Sequence, residues 1–331
     1  MTAQQAFSKV AVDRFEDIEA RPGVPKNDPI LVAESVTRRF GGLTAVSVDH
    51  CEIERGAITA LIGPNGAGKT TFFNLVTGFD KPNSGRWSYN GQQLGDMPSY
   101  QIARLGMVRT FQLTKSLARL TVLDNMKLGA AAQTGESFFR ALWPPTWRQQ
   151  EADVIEQAEG LLARFNLAHM RDEFAGELSG GQRKLLEMAR ALMSEPQLLM
   201  LDEPMAGVNP ALAQTIIRHV QELRDDGLTV VFVEHDMDVV RTISDWVVVM
   251  SEGELIAEGK HSSIVANERV IDAYLGAHHA TPLDRTEQER QIAEAEAELE
   301  AALEEGDSES ADASSGEPAD AAPAAEEDAR P

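Results

Sequence analysis

Short apolar runs recur along the middle of the chain, separated by more polar segments. The runs that resemble buried strands are residues 58–62, 198–201, 230–233 and 246–250. A helical pattern follows each of the first three, and this alternation predicts βαβ units with a parallel sheet covered on both faces. The fourth run continues through Ser-Glu-Gly-Glu into residues 255–257, which predicts a hairpin at the end of the sheet.

Two longer segments repeat apolar residues at helical spacing, and we predict a helix in each. The first is residues 149–164, and the second follows residue 182 and ends before Pro196. The apolar positions of the first are Val154, Ala158, Leu161 and Leu162, and those of the second are Leu185, Met188, Ala189 and Leu192.

Composition divides the chain into three parts. Residues 1–28 are polar and end in a Pro/Gly cluster, so we predict an N-terminal extension and linker. Residues 29–280 carry the periodic apolar pattern and form the predicted folded domain. Residues 281–331 are rich in Ala, Glu, Asp and Ser and offer little apolar surface to bury, which predicts an acidic, disordered tail. Within that tail, residues 286–305 show a short helical pattern.

Charge is distributed unevenly along the 331 residues. The formal net charge is −23, and residues 281–331 carry much of it, with 17 acidic and 3 basic side chains. The folded domain is therefore only mildly acidic. Nucleic-acid phosphates require Lys and Arg for neutralisation, so an acidic surface predicts no nucleic-acid partner.

The sequence predicts a cytosolic protein. Cys51 is the single cysteine, which allows no internal disulfide and suits a small buried hydrophobic role. No apolar stretch approaches the roughly 18 residues needed to span a bilayer. Residues 1–20 lack the apolar centre of a secretory signal. We therefore expect any membrane role to come through partners.

The strongest chemical motif is a predicted phosphate-binding loop. Residues 63–70 read Gly-Pro-Asn-Gly-Ala-Gly-Lys-Thr and fit the pattern G-x-x-x-x-G-K-[ST], with a strand before and a helix after. That context distinguishes a P-loop from a glycine-rich turn with a chance lysine. Lys69 can reach the β- and γ-phosphates, and Thr70 can offer its hydroxyl to Mg²⁺. The predicted ATP-binding residues are Gly63, Pro64, Asn65, Gly66, Ala67, Gly68, Lys69, Thr70 and Thr71.

Two carboxylates follow the strand 198–201. Asp202 ends that strand, and the carboxyl end of a parallel strand faces the ligand crevice. Because Mg²⁺ prefers carboxylate and water oxygens, Asp202 is the predicted metal ligand. Glu203 is its neighbour and is the predicted general base that orients the attacking water. A plain strand-ending Asp-Glu-Pro turn is the alternative, and the P-loop in the same chain disfavours it.

A second anion-binding pattern lies far along the chain from the first. Residues 178–182 read Leu-Ser-Gly-Gly-Gln and directly precede the second predicted helix. The amide groups at a helix N-terminus bind anions, although a simple helix cap of small residues would look similar. One ATP has little need of two separate phosphate sites in one chain.

The order of these elements resembles the ATP-binding-cassette (ABC) family. In that family two domains pair head to tail, and the signature of one closes over the ATP on the P-loop of the other. The resemblance therefore implies that Ser179, Gly180, Gly181 and Gln182 complete a partner's site. It also implies that Gln112 senses Mg²⁺ and the attacking water, that His235 contacts the γ-phosphate and that Phe40 stacks on adenine. One position departs from the common family pattern, because Asn209 stands where many cassettes have Asp.

Within the family, the match is similar to the ATP-binding subunit of bacterial branched-chain amino-acid importers. The resemblance implies an α/β P-loop NTPase core with a mixed or parallel sheet, an N-terminal antiparallel β subdomain and a helical signature subdomain. It implies ATP and Mg²⁺ as cofactors and a location at the cytoplasmic face of the cell membrane. The implied partners are a second cassette, identical or paralogous, transmembrane permease subunits and, indirectly, a periplasmic solute-binding protein. The segments that carry it are residues 37–45, 73–79, 109–112, 205–210, 234–237 and 270–276.

The family also implies a docking groove for the permease. It would be built from residues 112–128, and exposed apolar clusters often mark interfaces. The predicted apolar contacts are Phe111, Leu113 and Leu117, with Phe138, Phe139 and Trp143 as an extension.

Alternative functions stay open within the same family. A lipid- or lipopolysaccharide-export cassette shares much of the pattern. A soluble cassette acting on ribosomes or DNA is disfavoured by the single cassette, by the lack of a long coiled-coil insertion and by the acidic charge. The sequence leaves open the transported substrate and the identity of the second cassette.

Overall fold

The computed structural model describes residues 14–95, 97–110, 118–130 and 144–279. The chain divides into two units, residues 1–277 and 278–331, and only residues 278–279 of the second belong to the described part. The predicted tail, residues 281–331, lies outside it.

The central element is a six-stranded sheet in the order β10-β9-β3-β8-β7-β6. Neighbouring strands are parallel from β9 to β6, and β10 pairs antiparallel with β9 as the predicted hairpin. The four strands predicted from the sequence are therefore confirmed, with small shifts of their ends. The strands are β3 (Ile58–Ile62), β6 (Met107–Arg109), β7 (Leu198–Asp202), β8 (Thr229–Val233), β9 (Trp246–Ser251) and β10 (Glu254–Gly259).

Side chains of this sheet point alternately into two separate apolar clusters. In β7, Leu199 and Leu201 belong to one cluster, and Leu198 and Met200 belong to the other. Burying each such side chain contributes about 1.5–3 kcal/mol, so both faces stabilise the sheet. This confirms the prediction of a sheet that is covered on both sides.

One face of the core sheet packs against a smaller antiparallel sheet. Its strand order is β2-β1-β4-β5, and its apolar side chains share a cluster with helix α1 (Lys69–Val76). This is the N-terminal antiparallel β subdomain implied by the family resemblance. Its strands are β1 (Pro29–Phe40), β2 (Leu43–Glu54), β4 (Ser84–Tyr89) and β5 (Gln92–Gln93).

Helices cover the opposite face. The apolar spacing predicts a helix over residues 149–164, and helix α4 spans Pro144–Arg164, so it also includes residues 144–148. Helices α3, α4 and α5 pack on one another and form the helical subdomain. The remaining described helices are α2 (Ser99–Arg104), α3 (Val122–Lys127), α4 (Pro144–Arg164), a 3₁₀ turn (Ala168–Met170), α5 (Gly180–Leu192), α6 (Pro210–Asp225), α7 (Met237–Ile243), α8 (His261–Val265) and α9 (Glu268–His279).

Residues 14–28, predicted as part of a linker, instead pack on the core. The ring of Phe15 is 3% exposed and stacks on Trp246 at 4.7 Å between centroids. The buried ammonium of Lys26 pairs with the carboxylate of Glu258 at 2.7 Å. The backbone amide of Lys26 donates to the carboxylate of Glu52 at 2.6 Å. Since Glu52 lies in β2 and Glu258 in β10, this segment ties the two sheets together. The composition missed it because a few buried anchors suffice to hold a polar segment.

We expect Phe15→Ala to destabilise the folded protein. Removing a buried Phe leaves a cavity and costs about 3–5 kcal/mol in the free energy of unfolding. Urea unfolding measures the change, and Phe174→Ala is the matched control because Phe174 is 51% exposed. Equal losses for the two variants would show that the N-terminal segment does not hold the core together.

Candidate functional site

Three parallel strands deliver the predicted site residues to one edge of the sheet. The P-loop follows β3, Asp202 and Glu203 lie at the end of β7, and His235 follows β8. The carboxyl ends of adjacent parallel strands meet at the same edge, which is where open α/β sheets bind ligands. The structure thus brings together residues that lie more than 100 positions apart in sequence.

The P-loop has a backbone that glycine makes possible. Gly68 caps helix α1 with a φ of 97°, in the left-handed region that side chains disfavour, and a Cβ there would meet the carbonyl oxygen of Ala45. Asn65, Gly66 and Thr70 are exposed, so the tip of the loop and one side of the first turn of α1 face solvent. This exposed helix N-terminus is suited to bind phosphate.

Lys69 is buried beneath the loop that precedes it. Its ammonium donates to the carbonyl oxygens of Gly63 at 2.6 Å and Pro64 at 3.0 Å. Burial lowers its pKa, whereas the nearby carboxylates Glu203 and Asp202 act to raise it. The lysine is therefore held among acceptors and carboxylates at the edge where a triphosphate would bind.

Glu203 is held in an unusual backbone conformation. Its φ is 48°, a left-handed value that costs a non-glycine residue about 1–3 kcal/mol. Its amide donates to Val233 at 3.0 Å, and its carbonyl accepts from the ammonium of Lys184 at 2.8 Å. The carboxylate Oε1 lies 2.9 Å from Nε2 of His235. These bonds offset the strain and aim the carboxylate, which is the arrangement expected at a functional position.

The next acidic residue along this edge has a structural role. Glu234 is buried, and its carboxylate accepts from the amides of Met205 at 2.9 Å and His235 at 3.3 Å. Burial raises its pKa. It fixes the loop after Glu203 and the start of the segment that carries His235.

Asp202 is ion-paired with Arg109 at the end of the neighbouring strand β6. One guanidinium nitrogen donates to Oδ2 of Asp202 at 2.7 Å. Among the described residues, no group of three or more His, Cys, Asp or Glu side chains could hold a metal ion alone. The donors that the structure offers at this edge, a carboxylate and the exposed hydroxyl of Thr70, suit Mg²⁺, which keeps waters and takes its other ligands from phosphates.

The signature segment forms a capping box at the start of α5. Ser179 accepts from the amide of Gln182 at 3.3 Å, and the Gln182 side chain accepts from the amide of Ser179 at 2.9 Å. Ser179 and Gly180 are exposed, whereas Gly181 is buried where a Cβ would meet Leu212. In this cap the serine hydroxyl accepts a hydrogen bond and keeps its own hydrogen, so capping the helix does not use up its capacity to donate.

Phe40 is available to a planar ligand. Its side chain is 48% exposed, and the Arg38 guanidinium lies over the ring at 4.6 Å while pairing with Asp80 at 2.8 Å.

Asn209, the position that departs from the common family pattern, caps helix α6 by accepting from the amide of Leu212 at 2.9 Å. Asn and Asp cap helices equally well, which explains how the loop accommodates the change.

Several predicted residues lie outside the described part of the chain. They are Gln112, Phe111, Leu113, Leu117, Phe138, Phe139 and Trp143. The described strand β6 ends at Arg109, and the amide of Thr110 donates to the carbonyl oxygen of Met200 at 3.0 Å.

Sequence reasoning assigned no role to Arg109 or Lys184. Both reach the site from elements that become neighbours only in the folded sheet and helix layer. The one hint in the sequence is that Arg109 lies three residues before Gln112, a predicted site residue.

Comparison with known proteins gives a consistent result. The family profile described as ABC transporter matches residues 46–206, and that of the branched-chain amino acid ATP-binding cassette transporter matches residues 254–280. The Archaeoglobus fulgidus protein "Probable branched-chain amino acid transport ATP-binding protein LivG" is 41% identical over 248 residues, which cover 75% of this chain and 96% of that protein. The Pseudomonas aeruginosa "High-affinity branched-chain amino acid transport ATP-binding protein BraF" is 39% identical over 250 residues, covering 75% of this chain and 98% of that protein.

A solved structure agrees with the fold. A nucleotide-free ATP-binding cassette from an ABC transporter superposes with a TM-score of 0.66 at 37% identity, covering 74% of this chain and 98% of that one.

Proposed function

The chain belongs to the ATP-binding-cassette family of ABC transporters, and from that membership we propose that it is the ATP-hydrolysing subunit of an importer for branched-chain or similar hydrophobic amino acids. The main observation behind the proposal is that one edge of the core sheet brings together Lys69, Asp202, Glu203 and His235. The printed names of the relatives and the match at residues 254–280 support the substrate class.

The site residues take distinct roles in hydrolysis. The P-loop and Lys69 bind the phosphates, and Phe40 stacks on adenine. Thr70, Asp202 and Gln112 would hold Mg²⁺, which, when bound, neutralises phosphate charge. Glu203 accepts a hydrogen bond from the attacking water and orients it. His235, whose Nε2 is hydrogen-bonded to the same carboxylate, contacts the γ-phosphate.

The signature is proposed to act on a second cassette. Ser179 and Gly180 face solvent, with a free hydroxyl hydrogen and a helix N-terminus directed outward. A phosphate held by a partner's P-loop is a suitable acceptor for both. The partner is a copy of this chain or a paralogous cassette.

We place the chain at the cytoplasmic face of the membrane, bound to permease subunits. None of the described helices is both long enough and apolar enough to cross a bilayer. A groove of about 280 Å³ opens beside β6, lined in part by Phe79, Met107, Val108 and Ala191. Phe79 is half exposed at this groove, and Arg109, Glu187 and Arg190 also line it, so the groove offers both apolar and charged contacts to a helix of a membrane subunit. A solute-binding protein outside the membrane would act indirectly, through the permease.

Uptake of labelled leucine by whole cells tests this function. We expect a strain that lacks this chain to lose most high-affinity leucine uptake, and the wild-type chain to restore it. Affinity-tagged wild-type chain should co-purify with a hydrophobic membrane subunit. Normal uptake in the deletion strain, together with purification free of any membrane subunit, would contradict the importer function.

A further inference from the structure

Arg109 bridges two elements of the nucleotide site. One terminal nitrogen of its guanidinium donates to Oδ2 of Asp202 at 2.7 Å, and the other donates to Oδ1 of Asn74 at 2.5 Å. Asn74 lies in α1, the helix that begins at the P-loop, whereas Asp202 ends strand β7. The guanidinium also lies 5.6 Å from the ring centre of Phe73, in the same helix.

The bridge is well shielded from water. The side chains of Arg109 and Asp202 are 8% and 13% exposed, so solvent screens their attraction little. A planar guanidinium can direct two hydrogen bonds at fixed angles, whereas a lysine ammonium acts as a single point charge on a flexible stem. The geometry therefore depends on arginine specifically, and not on positive charge alone.

The bridge leaves one carboxylate oxygen of Asp202 out of the ion pair. The guanidinium is bonded to Oδ2 of Asp202 and to Asn74 of α1, so it fixes the position of Oδ2 relative to that helix. Groups that orient a metal ligand influence metal affinity strongly, and their loss typically costs 10–100-fold. Arg109 also lies three positions before Gln112, so the same bridge anchors the strand that leads to that residue.

We propose that Arg109 is a positioning residue that fixes the Asp202 carboxylate relative to the P-loop helix, so that Oδ1 is presented to Mg²⁺ bound with ATP. The inference rests on the proposed ATPase function and deepens it. Arg109 touches neither nucleotide nor metal, and it acts through Asp202. Its loss therefore weakens the part of nucleotide binding that depends on Mg²⁺ and leaves binding of metal-free ATP unchanged.

Arg109→Lys tests the proposal, because it keeps the positive charge and removes the planar guanidinium that makes both hydrogen bonds. Binding of a fluorescent ATP analogue is measured by titration with excess EDTA and again with excess Mg²⁺. We expect affinity in EDTA within about twofold of wild type and affinity with Mg²⁺ about 10-fold weaker. Asn74→Ala removes the other end of the bridge. It should also leave affinity in EDTA within about twofold of wild type, and it should weaken affinity with Mg²⁺ by less than Arg109→Lys does. Arg164→Lys is the control, because Arg164 forms an exposed ion pair of the same 2.7 Å length with Asp226.

The two binding conditions separate the outcomes. Equal losses of affinity with and without Mg²⁺ would mean that Arg109 only supports the fold. Unchanged affinity in both conditions would mean that Arg109 affects neither the nucleotide site nor the position of Asp202. Each result overturns the inference. Thermal unfolding of the nucleotide-free variants checks folding, and Asn74→Ala decides the question if Arg109→Lys does not fold. A wild-type chain that binds no nucleotide would instead overturn the proposed function.

Discussion

Glu203→Gln is expected to slow ATP hydrolysis by about 10²–10⁴-fold while ATP still binds. The amide has nearly the same shape as the carboxylate and can still bond to His235, which lies 2.9 Å away. It is a far weaker hydrogen-bond acceptor and base for the attacking water. Phosphate release measures turnover, and a fluorescent ATP analogue measures binding.

Glu222→Gln is the matched control for that experiment. Glu222 also pairs with a histidine, His219, at 3.2 Å, but it lies in α6 away from the site edge. Turnover close to wild type is expected for this variant. Comparable turnover in both variants would remove Glu203 from the hydrolytic mechanism.

Lys69→Ala is expected to weaken ATP binding by roughly 10–100-fold, because a charge-assisted hydrogen bond to phosphate contributes about 1.5–3 kcal/mol. In the structure the ammonium donates hydrogen bonds to the carbonyl oxygens of Gly63 and Pro64, within the predicted phosphate-binding loop. Equilibrium titration with an ATP analogue measures the loss.

The exposed Lys81 provides the control for the lysine variant. Lys81→Ala should bind ATP as the wild type does, which separates a local contact from a general loss of positive charge. ATP affinity that is unchanged in Lys69→Ala would count against the P-loop assignment. Because Lys69 is buried, its replacement could also disturb folding, so thermal unfolding of the variant is measured as a check.

The sequence predicts the core sheet well because burial on both faces gives a direct signal. Strands such as 198–202 alternate between two apolar clusters, so every position is apolar until Asp202. The polar or glycine-rich segment that ends each run then marks the site edge. Motif spacing and the family resemblance are therefore sufficient to single out Lys69, Asp202, Glu203 and His235 as candidate site residues.

Contacts between distant segments could not be predicted in the same way. The pairing of Lys26 with Glu258 joins residues 232 positions apart, and nothing near Lys26 in the sequence distinguishes it from a solvated lysine. The bonds of Arg109 to Asp202 and of Lys184 to Glu203 depend on the order of strands and on where α5 lies against them. Periodicity predicts which residues are buried, but it does not identify their polar partners.

The signature segment has a structural role that is compatible with its proposed function. The capping box between Ser179 and Gln182 stabilises the start of α5, as the simpler structural interpretation requires. The same bonds hold the serine hydroxyl and the helix N-terminus in place at the surface. The proposed action of this turn on a second cassette requires the same arrangement, so the two interpretations do not compete.

The most direct test of the importer account is leucine uptake by membrane vesicles that contain the complete transporter, with ATP supplied on the cytoplasmic side. The account predicts ATP-driven uptake with the wild-type chain and none with Glu203→Gln, although that variant still binds ATP and remains in the complex. ATP-driven uptake that persists with Glu203→Gln would contradict it, as would a wild-type complex that hydrolyses ATP without moving leucine.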